Sequence, residues 1–257
     1  MGVKRGKVYL VGIGPCGMED MTGNALRALQ SCEVLCGYTV YIDLIQSRIP
    51  GLDHKRILTT PMHHETQRCQ AALEEAHRGR DVALVCGGDA GIYSMAGPVL
   101  EMLESFPDVG TEVIPGITAA VSGAALLGAP LMNDFCVISL SDLLTGWDVI
   151  EKRIRSAADG DFVTVIYNPM SKKRTWQLKR CCGIFLEYRS ADTPCGWVRN
   201  IGRRGQEKKL LTLEQLQEET VDMFTTVYIG NSTTHFAGGY MVTPRGYDSL
   251  ELREDGR

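Results

Sequence analysis

Short apolar runs alternate with amphipathic segments along most of this chain, and this alternation limits its fold more than any other feature. Helical patterns begin after Thr22, which reads as an N-cap, and continue in ETQRCQAALEEAHRG (65–79) and MAGPVLEMLESF (95–106). Strands joined through helices form right-handed βαβ units, so the first half predicts a parallel sheet. The strand candidates of this half are KVYLVGI (7–13), EVLCGY (33–38), DVALVC (81–86) and TEVIP (111–115).

The second half repeats the alternation, with strand candidates that lie closer together. The helix predicted over GWDVIEKRIRSAA (146–158) places Trp147, Ile150, Ile154 and Ala157 on one face. Because of the closer spacing we expect some strands to pair antiparallel, in a mixed sheet. The candidates are FCVISL (135–140), DFVTVIY (161–167), PCGWV (194–198), KLLTL (209–213), MFTTVYIG (223–230) and YMVT (240–243).

Between the halves lies GITAAVSGAALLGAP (116–130), whose small residues predict a closely packed helix ended by Gly128 to Pro130. We place the domain boundary directly after it. The sequence therefore predicts an α/β protein of two αβα domains, with a parallel sheet in residues 1–132 and a mixed sheet in residues 133–250. Residues 251–257 are expected to form a frayed tail.

Composition narrows the functional classes. A chain of 257 residues can bury a sizeable core, and a net charge of −4 gives no reason to expect a nucleic-acid partner. No run reaches the roughly 18 apolar residues of a membrane span. Nine cysteines without paired CxxC spacing fit a reducing compartment, so we expect a cytoplasmic enzyme. We predict no metal site, with a cluster at Cys181, Cys182 and Cys195 as the less favoured alternative.

Three glycine-rich segments, GIGPCG (12–17), VCGGDAGIYSMAG (85–97) and PGITAA (115–120), stand at the ends of predicted strands. The first satisfies G-x-G-x-x-G, but its helix starts late and no acidic residue ends the second strand, which argues against a dinucleotide site. Ligands of open α/β sheets bind at the carboxyl ends of the strands. We therefore predict one small-molecule site, in which Asp89 binds a ribose hydroxyl or a cation, or only closes a turn.

Four segments are informative when they are taken together: VGIGPCGMEDMT, GGDAGIYSMAG, PGITAAVSGAALLGAPLMNDFCVISLSDLL and YNPMSKKRTWQL. In this order they resemble the tetrapyrrole (corrin/porphyrin) methylases, the class III S-adenosylmethionine methyltransferases. Within that group, SLSDLL (139–144), YNPMSK (167–172) and VTPRGY (242–247) look most like the precorrin-3B C17-methyltransferase family. The resemblance covers nearly the whole chain. It implies the class III methylase fold, a homodimer, S-adenosyl-L-methionine as the methyl donor and a polycarboxylated tetrapyrrole as the substrate.

The resemblance also implies a donor site whose members act mostly through backbone groups, with glycines that clear space for a bent nucleoside. The implied reaction is methylation of C17 of precorrin-3B or cobalt-factor III, coupled to ring contraction, in cobalamin biosynthesis. Tyr38 stands where related uroporphyrinogen methylases carry an acidic proposed base, so that base is not transferred to this chain. The implied donor-site residues are Pro15, Gly87, Gly88, Asp89, Ala90, Ile92, Thr118, Ala119 and Asn168.

Ring contraction needs proton handling, and Ser141 and Asp142 directly follow the FCVISL strand. Asp142 is a candidate base or hydrogen-bond acceptor, or else the N-cap of the helix over 146–158. Cations should bind the carboxylates of the substrate. Of the two basic runs, Lys172 to Arg174 and Arg199 to Arg204, we favour Lys172 and Arg203, although either run could be ordinary solvated surface.

Three other functions stay open. Another methylase of the same fold could act at a different corrin carbon, and product mass with the position of the new methyl group would separate the two. An NAD-dependent oxidoreductase is disfavoured by the missing ribose-binding acid. A non-catalytic corrinoid carrier would bind tetrapyrrole without consuming the methyl donor.

Overall fold

The structure is a computed structural model that describes residues 6–15, 17–62 and 64–247. The chain divides between Ala119 and Ala120 into two compact units. Each unit has its own five-stranded sheet. The predicted tail, 251–257, lies outside the described residues.

The first unit contains a five-stranded parallel sheet, which confirms the prediction for this half. The strands are ordered β3-β2-β4-β1-β5, and every neighbouring pair is parallel. Since β1 lies between β4 and β5 and all three strands run in the same direction, their carboxyl ends lie side by side at one end of the sheet. The strands are β1 (Lys7–Gly12), β2 (Val34–Tyr38), β3 (Arg56–Thr60), β4 (Val82–Cys86) and β5 (Gly110–Ile114).

Helices cover both faces of this sheet. α1 and α2 contribute to an apolar cluster around Leu29, and α3 and α4 to another around Leu73, so the unit has three layers. α1 begins where the sequence predicts, because the Thr22 hydroxyl accepts a hydrogen bond from the N–H of Ala25. The helices are α1 (Gly23–Ser31), α2 (Thr39–Gln46), α3 (Glu65–His77) and α4 (Ala96–Met102), the last followed by a 3₁₀ turn, Leu103–Ser105.

Two elements of this unit, α2 and β3, were not among the predicted ones. α2 follows β2 without a break, and its segment TVYIDLIQ is apolar at so many positions that no helical period stands out from the strand before it. β3 is a short edge strand that has no fully buried residue, so it lacks the continuous apolar run of a central strand.

The second unit contains a mixed five-stranded sheet, again as predicted. Its order is β10-β9-β11-β8-β7, with β7 and β8 parallel and the other pairs antiparallel. A small three-stranded sheet is formed by β6 (Gly128–Ala129), β12 (His235–Ala237) and β13 (Tyr240–Val242). The main strands are β7 (Phe135–Ser139), β8 (Val163–Tyr167), β9 (Pro194–Arg199), β10 (Glu207–Thr212) and β11 (Thr225–Ile229).

Helices cover both faces of this sheet as well. α5 (Ala119–Leu127) packs on one face, and α6 (Trp147–Asp159), α7 (Gln177–Leu186) and α8 (Leu213–Gln217) pack on the other. The predicted inner face of α6 is confirmed, because Ile150, Ile154 and Ala157 are buried and Trp147 packs against the same core. α7, α8, β6 and β12 were not predicted, and the predicted strand YMVT (β13) belongs to the small sheet and not to the mixed five-stranded one.

The compact units divide at the start of α5, whereas the predicted domain boundary lies beyond its end, after residue 132. Two tyrosines of the second sheet account for the difference. The N–H of Ala120 donates to the Tyr167 hydroxyl at 2.7 Å, and the Tyr228 hydroxyl donates to the Ala120 carbonyl at 3.0 Å. Residues of α5 therefore pack with the sheet that follows them in the chain.

Membrane insertion has no support in the helices that the structure describes. Over residues 6–15, 17–62 and 64–247, each helix is too short or too polar to cross a bilayer.

Candidate functional site

The glycine-rich loops after β1 and β4 are hydrogen-bonded to each other. Gly14 and Gly88 form a two-bond bridge, in which the N–H of each residue donates to the carbonyl of the other, at 3.0 and 3.1 Å. Both residues have positive φ, +60° and +67°, a conformation that glycine adopts without a steric penalty. The loop after β4 can therefore fold back onto the loop after β1.

The loop after β5 closes onto the same place. A Cβ on Gly116 would overlap the Gly88 carbonyl oxygen and lie 2.6 Å from the Gly12 carbonyl oxygen. A Cβ on Gly12 would lie 2.6 Å from the Gly116 nitrogen. No side chain fits at Gly12 or Gly116, since three backbones are in contact there. The three loops thus meet, as the sequence analysis expected.

Asp89 ties two of these loops together. One carboxylate oxygen accepts a hydrogen bond from the N–H of Gly91 at 2.7 Å, and the other accepts one from the N–H of Gly116 at 3.0 Å. The first contact is the turn closure that the sequence analysis held as an alternative. Each carboxylate oxygen has a further lone pair, and Asp89 is half-buried, so a ligand hydroxyl can still bind the same group.

The tip of the loop after β4 is exposed. Ile92 and Tyr93 at its tip are 39% and 59% exposed, although large apolar side chains are usually buried. A Cβ on Gly91 would meet only the Asp89 carboxylate, at 3.3 Å, and a Cβ on Gly97 would meet nothing within 4 Å. Backbone groups and apolar surface are therefore accessible side by side, a combination that suits a nucleoside.

The remaining donor-site candidates of the first unit lie in or beside the same loops. Gly88 adjoins the start of α5, since its Cβ would lie 3.6 Å from the Thr118 Cα and 3.8 Å from the Ala119 nitrogen. Gly87 lies under the Tyr41 ring, where a Cβ would come within 2.5 Å of the ring carbon Cζ. The first unit therefore brings together Pro15, Gly87, Gly88, Asp89, Ala90, Ile92, Thr118 and Ala119.

Asn168 is the donor-site candidate of the second unit, directly after β8. Its backbone is left-handed, with φ +52°. The side-chain Nδ2 donates to the Ser139 hydroxyl at 2.9 Å, and that hydroxyl also accepts from the N–H of Ser141 at 3.2 Å. Ser139 at the end of β7 therefore joins Asn168 to the loop that carries the two catalytic candidates.

Asp142 does not cap α6, so the capping alternative was wrong. The N-cap is Gly146, which has no side chain with which to cap. The Asp142 carboxylate instead accepts a hydrogen bond from Gln177 Nε2 at 3.0 Å and lies 4.0 Å from Arg174 Nε. The side chain stays 28% exposed, so it is held in place and still reachable by a ligand.

The basic run after β8 divides into outward and inward residues. Lys172 and Lys173 are exposed and form no ion pair with another residue of the described chain. Arg174 has only 11% of its side chain exposed and donates to the carbonyls of Leu140 and Asn168. Sequence alone favoured Lys172 and gave no sign that Arg174 is buried, because a run of like charges does not show which member turns inward.

Arg203 belongs to a different loop of the second unit. Its N–H donates to the Asn200 carbonyl at 2.9 Å, and the residue is half-buried. Asn200 and Gly202 both have positive φ, +51° and +68°, so this loop is tightly turned. The structure therefore leaves Arg203 as a candidate and gives it no direct link to Lys172.

Comparison with known proteins decides the family. A model of the tetrapyrrole (corrin/porphyrin) methylases matches residues 7–217. The chain belongs to this family. A curated relative from Salmonella typhimurium, named as a probable cobalt-factor III C(17)-methyltransferase, is 48% identical over 93% of this chain and 98% of its own. Another from a Sinorhizobium species, named as a precorrin-3B C(17)-methyltransferase, is 36% identical over 94% of this chain and 97% of its own.

Solved structures agree with the methylase fold. The crystal structure of the methyltransferase CobJ superposes with a TM-score of 0.85 at 35% identity, over 93% of this chain and all of that one. A uroporphyrin-III C-methyltransferase from Thermus thermophilus, solved in complex with S-adenosylhomocysteine, has a TM-score of 0.70 at 22% identity, over 88% and 97% of the two chains. The second likeness concerns the fold alone.

Three buried cysteines of the second unit behave as apolar core residues. Cys181, Cys182 and Cys195 are fully buried in the core that α6 and α7 share with the second sheet. Burial raises the pKa of the Cys182 thiol to about 12 and raises those of Cys181 and Cys195 well above their usual value. Over residues 6–15, 17–62 and 64–247, the His, Cys, Asp and Glu side chains form no group that could hold a metal ion, so the alternative cluster at these three cysteines has no support there.

Proposed function

We propose that this chain is an S-adenosyl-L-methionine-dependent methyltransferase that methylates C17 of precorrin-3B or cobalt-factor III, with ring contraction, in cobalamin biosynthesis. The observation that carries the proposal is near full-length similarity, at 48% and 36% identity, to relatives named for this reaction. The convergence of three glycine-rich loops at one edge of the first sheet supports it, because that edge is where α/β sheets bind ligands.

The donor fits the residues that are present. The β4 loop offers backbone at Gly87, Gly88 and Ala90 and exposed apolar surface at Ile92, and Asp89 can accept from a ribose hydroxyl. We assign the donor site to these residues together with Pro15, Thr118, Ala119 and Asn168. S-adenosylmethionine, when bound, would supply an activated methyl group: the new bond to the substrate carbon would form as the bond to the sulfonium sulfur breaks, with S-adenosylhomocysteine as the leaving group.

The chain's own contribution to this reaction is mainly positioning. Methyl transfer needs no covalent intermediate with the protein, so the loops act by holding two reactants in line. Ser141 and Asp142 are the proposed proton-handling groups of ring contraction, since Asp142 is fixed by Gln177 and remains partly exposed. Lys172 and Arg203 are the proposed cations for the carboxylates of the substrate.

Two finer features belong to the same proposal. We assign the protein to the cytoplasm, in line with the eight cysteines of the described residues, which are free of disulfides, and we infer a homodimer. Each main sheet ends in an edge strand with an exposed apolar side chain, Val113 on β5 and Phe135 on β7, both 43% exposed. Exposed apolar surface at a sheet edge is suited to association with a second copy.

Titration calorimetry with S-adenosylhomocysteine tests the donor site. We expect micromolar binding to the wild-type protein, weakened in Asp89→Ala and lost in Gly88→Val, because a β-branched residue cannot adopt φ +67° in this loop. Gly183→Ala in α7, outside the proposed donor site, is the matched control, since its Cβ would meet only the end of a glutamine side chain at 3.4 Å, and it should bind as the wild type does. A folded wild-type protein that gives no heat at several temperatures would contradict the methyltransferase proposal.

Two further measurements separate the alternatives. S-adenosylhomocysteine should raise the melting temperature and NADH should not, because only a ligand of the native state stabilises it; the reverse result would favour an oxidoreductase. Turnover with the tetrapyrrole should add one methyl group at C17, as judged by product mass and NMR. A methyl group at another carbon would favour a different corrin methylase, and binding of tetrapyrrole without consumption of the donor would favour a carrier.

A further inference from the structure

Arg174 occupies a place that the proposed reaction does not explain. It ends the turn Ser171 to Arg174, which is closed by hydrogen bonds from Ser171 N–H to the Arg174 carbonyl at 2.9 Å and from Arg174 N–H to the Ser171 carbonyl at 3.2 Å. The turn leaves Lys172 and Lys173 exposed and directs the Arg174 side chain inward. A guanidinium with only 11% of its side chain exposed needs acceptors in the protein, and its choice of acceptors is informative.

One nitrogen of Arg174 joins the ends of two neighbouring strands. Its Nη1 donates to the carbonyls of Leu140 and Asn168, each at 3.0 Å. Leu140 directly follows β7, and Asn168 directly follows β8. Leu140 is fully buried and donates its own N–H to the Tyr167 carbonyl at 2.9 Å, so the strand end that Arg174 contacts is also hydrogen-bonded to β8.

Asn168 depends on such support. Its φ of +52° lies in the left-handed region, which asparagine tolerates better than most residues with a side chain but which neighbouring groups must still stabilise. The next residue, Pro169, has no N–H, so the peptide that follows Asn168 can be held only through its carbonyl. Arg174 donates a hydrogen bond to that carbonyl, while the Ser139 hydroxyl accepts one from the side-chain amide. Without Arg174 the Asn168 backbone can relax and move its amide away from Ser139.

Arg174 also lies beside the loop of the catalytic candidates. Its Nε is 4.0 Å from Asp142 Oδ1, and the other carboxylate oxygen accepts from Gln177 Nε2 at 3.0 Å. The Leu140 carbonyl that Arg174 holds is the one immediately before Ser141. A single guanidinium therefore contacts the Asn168 carbonyl and both ends of the Leu140–Asp142 segment, with Nη1 donating to the two carbonyls and Nε lying near the carboxylate.

We propose that Arg174 is a positioning residue of the methyl-donor site, which holds Asn168 and the Leu140–Asp142 segment in their binding geometry. This inference rests on the proposed function, because the donor site is itself part of that proposal. Of the residues that Arg174 holds, Asn168 is the one assigned to the donor site, so the effect of Arg174 on donor binding must disappear when Asn168 has lost its side chain.

The test is a double-mutant cycle on S-adenosylhomocysteine affinity, measured by calorimetry. Arg174→Met keeps the apolar stem without the donors, and Asn168→Gly removes the amide while keeping φ positive. We expect Arg174→Met to weaken binding by about tenfold or more, and the double variant to bind no more weakly than the worse single variant. Arg153→Gln, a change at an exposed arginine of α6, is the matched control and should leave affinity unchanged.

Near-ultraviolet circular dichroism and the melting temperature establish that each variant is folded. If Arg174→Met does not fold, Arg174→Lys, which keeps the charge but not the fork, replaces it and should weaken binding by about threefold or more. Unchanged affinity in the folded variant overturns the inference, and so do additive losses in the double variant. A wild-type protein that fails to bind overturns the proposed function together with the inference, whereas wild-type binding with an unaffected variant overturns the inference alone.

Discussion

Asn168 and Gly88 both have positive φ, +52° and +67°, yet only one of them is a glycine. At Gly88 the conformation lets the β4 loop bond to Gly14. At Asn168 the same conformation carries a side chain that is hydrogen-bonded to Ser139 at 2.9 Å. A residue type that tolerates this conformation and also supplies an amide indicates that the amide is needed there.

Substitutions at Asn168 should therefore separate backbone from side chain. Asn168→Gly and Asn168→Ala both lose the amide, but only alanine resists φ +52°, so we expect the alanine variant to be less stable by about 1 kcal/mol. Urea unfolding of the two variants measures the difference. Asn24 lies within α1, where the order should reverse, with Asn24→Ala more stable than Asn24→Gly by about 1 kcal/mol. Equal stability of the two Asn168 variants would contradict a strained backbone.

At the scale of elements, α5 is fixed to the second sheet through Tyr228. Its hydroxyl is buried and donates to the Ala120 carbonyl, and Gly123 lies so close that a Cβ there would overlap that hydroxyl. The stretch of small residues in α5 was predicted to permit close packing, and Gly123 shows where the packing is closest. Since the hydroxyl is the overlapping atom, its removal should create room for a side chain.

We expect Gly123→Ala to cost about 2 kcal/mol of unfolding free energy through overpacking. Tyr228→Phe should cost about 1 kcal/mol through the lost hydrogen bond. The double variant should lose less unfolding free energy than the sum of the two single losses, by about 1 kcal/mol or more, as measured by denaturant unfolding. Gly183→Ala in α7 serves as the control, because its Cβ would meet only the end of a glutamine side chain at 3.4 Å. Simple additivity would mean that the hydroxyl does not limit the space.

A second pair of elements, α6 and α7, is joined through Glu151. Its carboxylate accepts hydrogen bonds from Arg180 of α7 at 2.6 Å and from Arg155 of α6 at 2.9 Å. The Arg180 guanidinium, followed by that of Arg155, lowers the pKa of Glu151 from 4.5 to about 2. The effect of Arg180 on this pKa could not be predicted from the sequence, because α7 was not predicted.

This shift makes the α6–α7 contact sensitive to acid. A carboxyl with a lowered folded-state pKa stabilises the protein fully above its unfolded pKa of 4.5, and the contribution is lost as pH falls from there to about 2. Glu151→Gln should therefore show a shallower fall in stability over this window than the wild type. Chemical unfolding at a series of pH values measures the slopes. Glu101→Gln, at an exposed residue with no ion pair in the described chain, should keep the wild-type slope; identical slopes in all three proteins would refute the assignment.

At the scale of the whole molecule, two units carry two sheets of different kinds, one parallel and one mixed. Each sheet has an exposed edge, and the apolar side chains there are half-exposed. If the proposed homodimer forms, light scattering on the purified protein should give twice the monomer mass of 28.3 kDa at micromolar concentration. A mass of one chain over the whole concentration range would contradict it, and Phe135→Glu with Val113→Glu, each alone, would show which edge takes part.

Most of the fold could be predicted because hydrophobic periodicity is a local property. Every central strand of both sheets was found from its apolar run, and α1 and α6 from their caps or inner faces. Elements without a local signal were missed: α2 merges with the apolar run of β2, and β3 is a half-exposed edge. The division of the chain after Ala119 was not predicted either, because it depends on the hydrogen bonds of Ala120 with Tyr167 and Tyr228, which lie far away in sequence.

The fold class, the family resemblance and the position of three glycine-rich loops at strand ends could all be predicted from the sequence. Only the tertiary structure decided what those residues do to one another. In the folded chain Asp89 links two loops, and Asp142 contacts Gln177 and does not cap a helix. Arg174 points inward, although its neighbours in the sequence carry the same charge. The physical reason is that periodicity and loop composition are written along the chain, whereas hydrogen-bond partners are chosen by groups that meet only after folding.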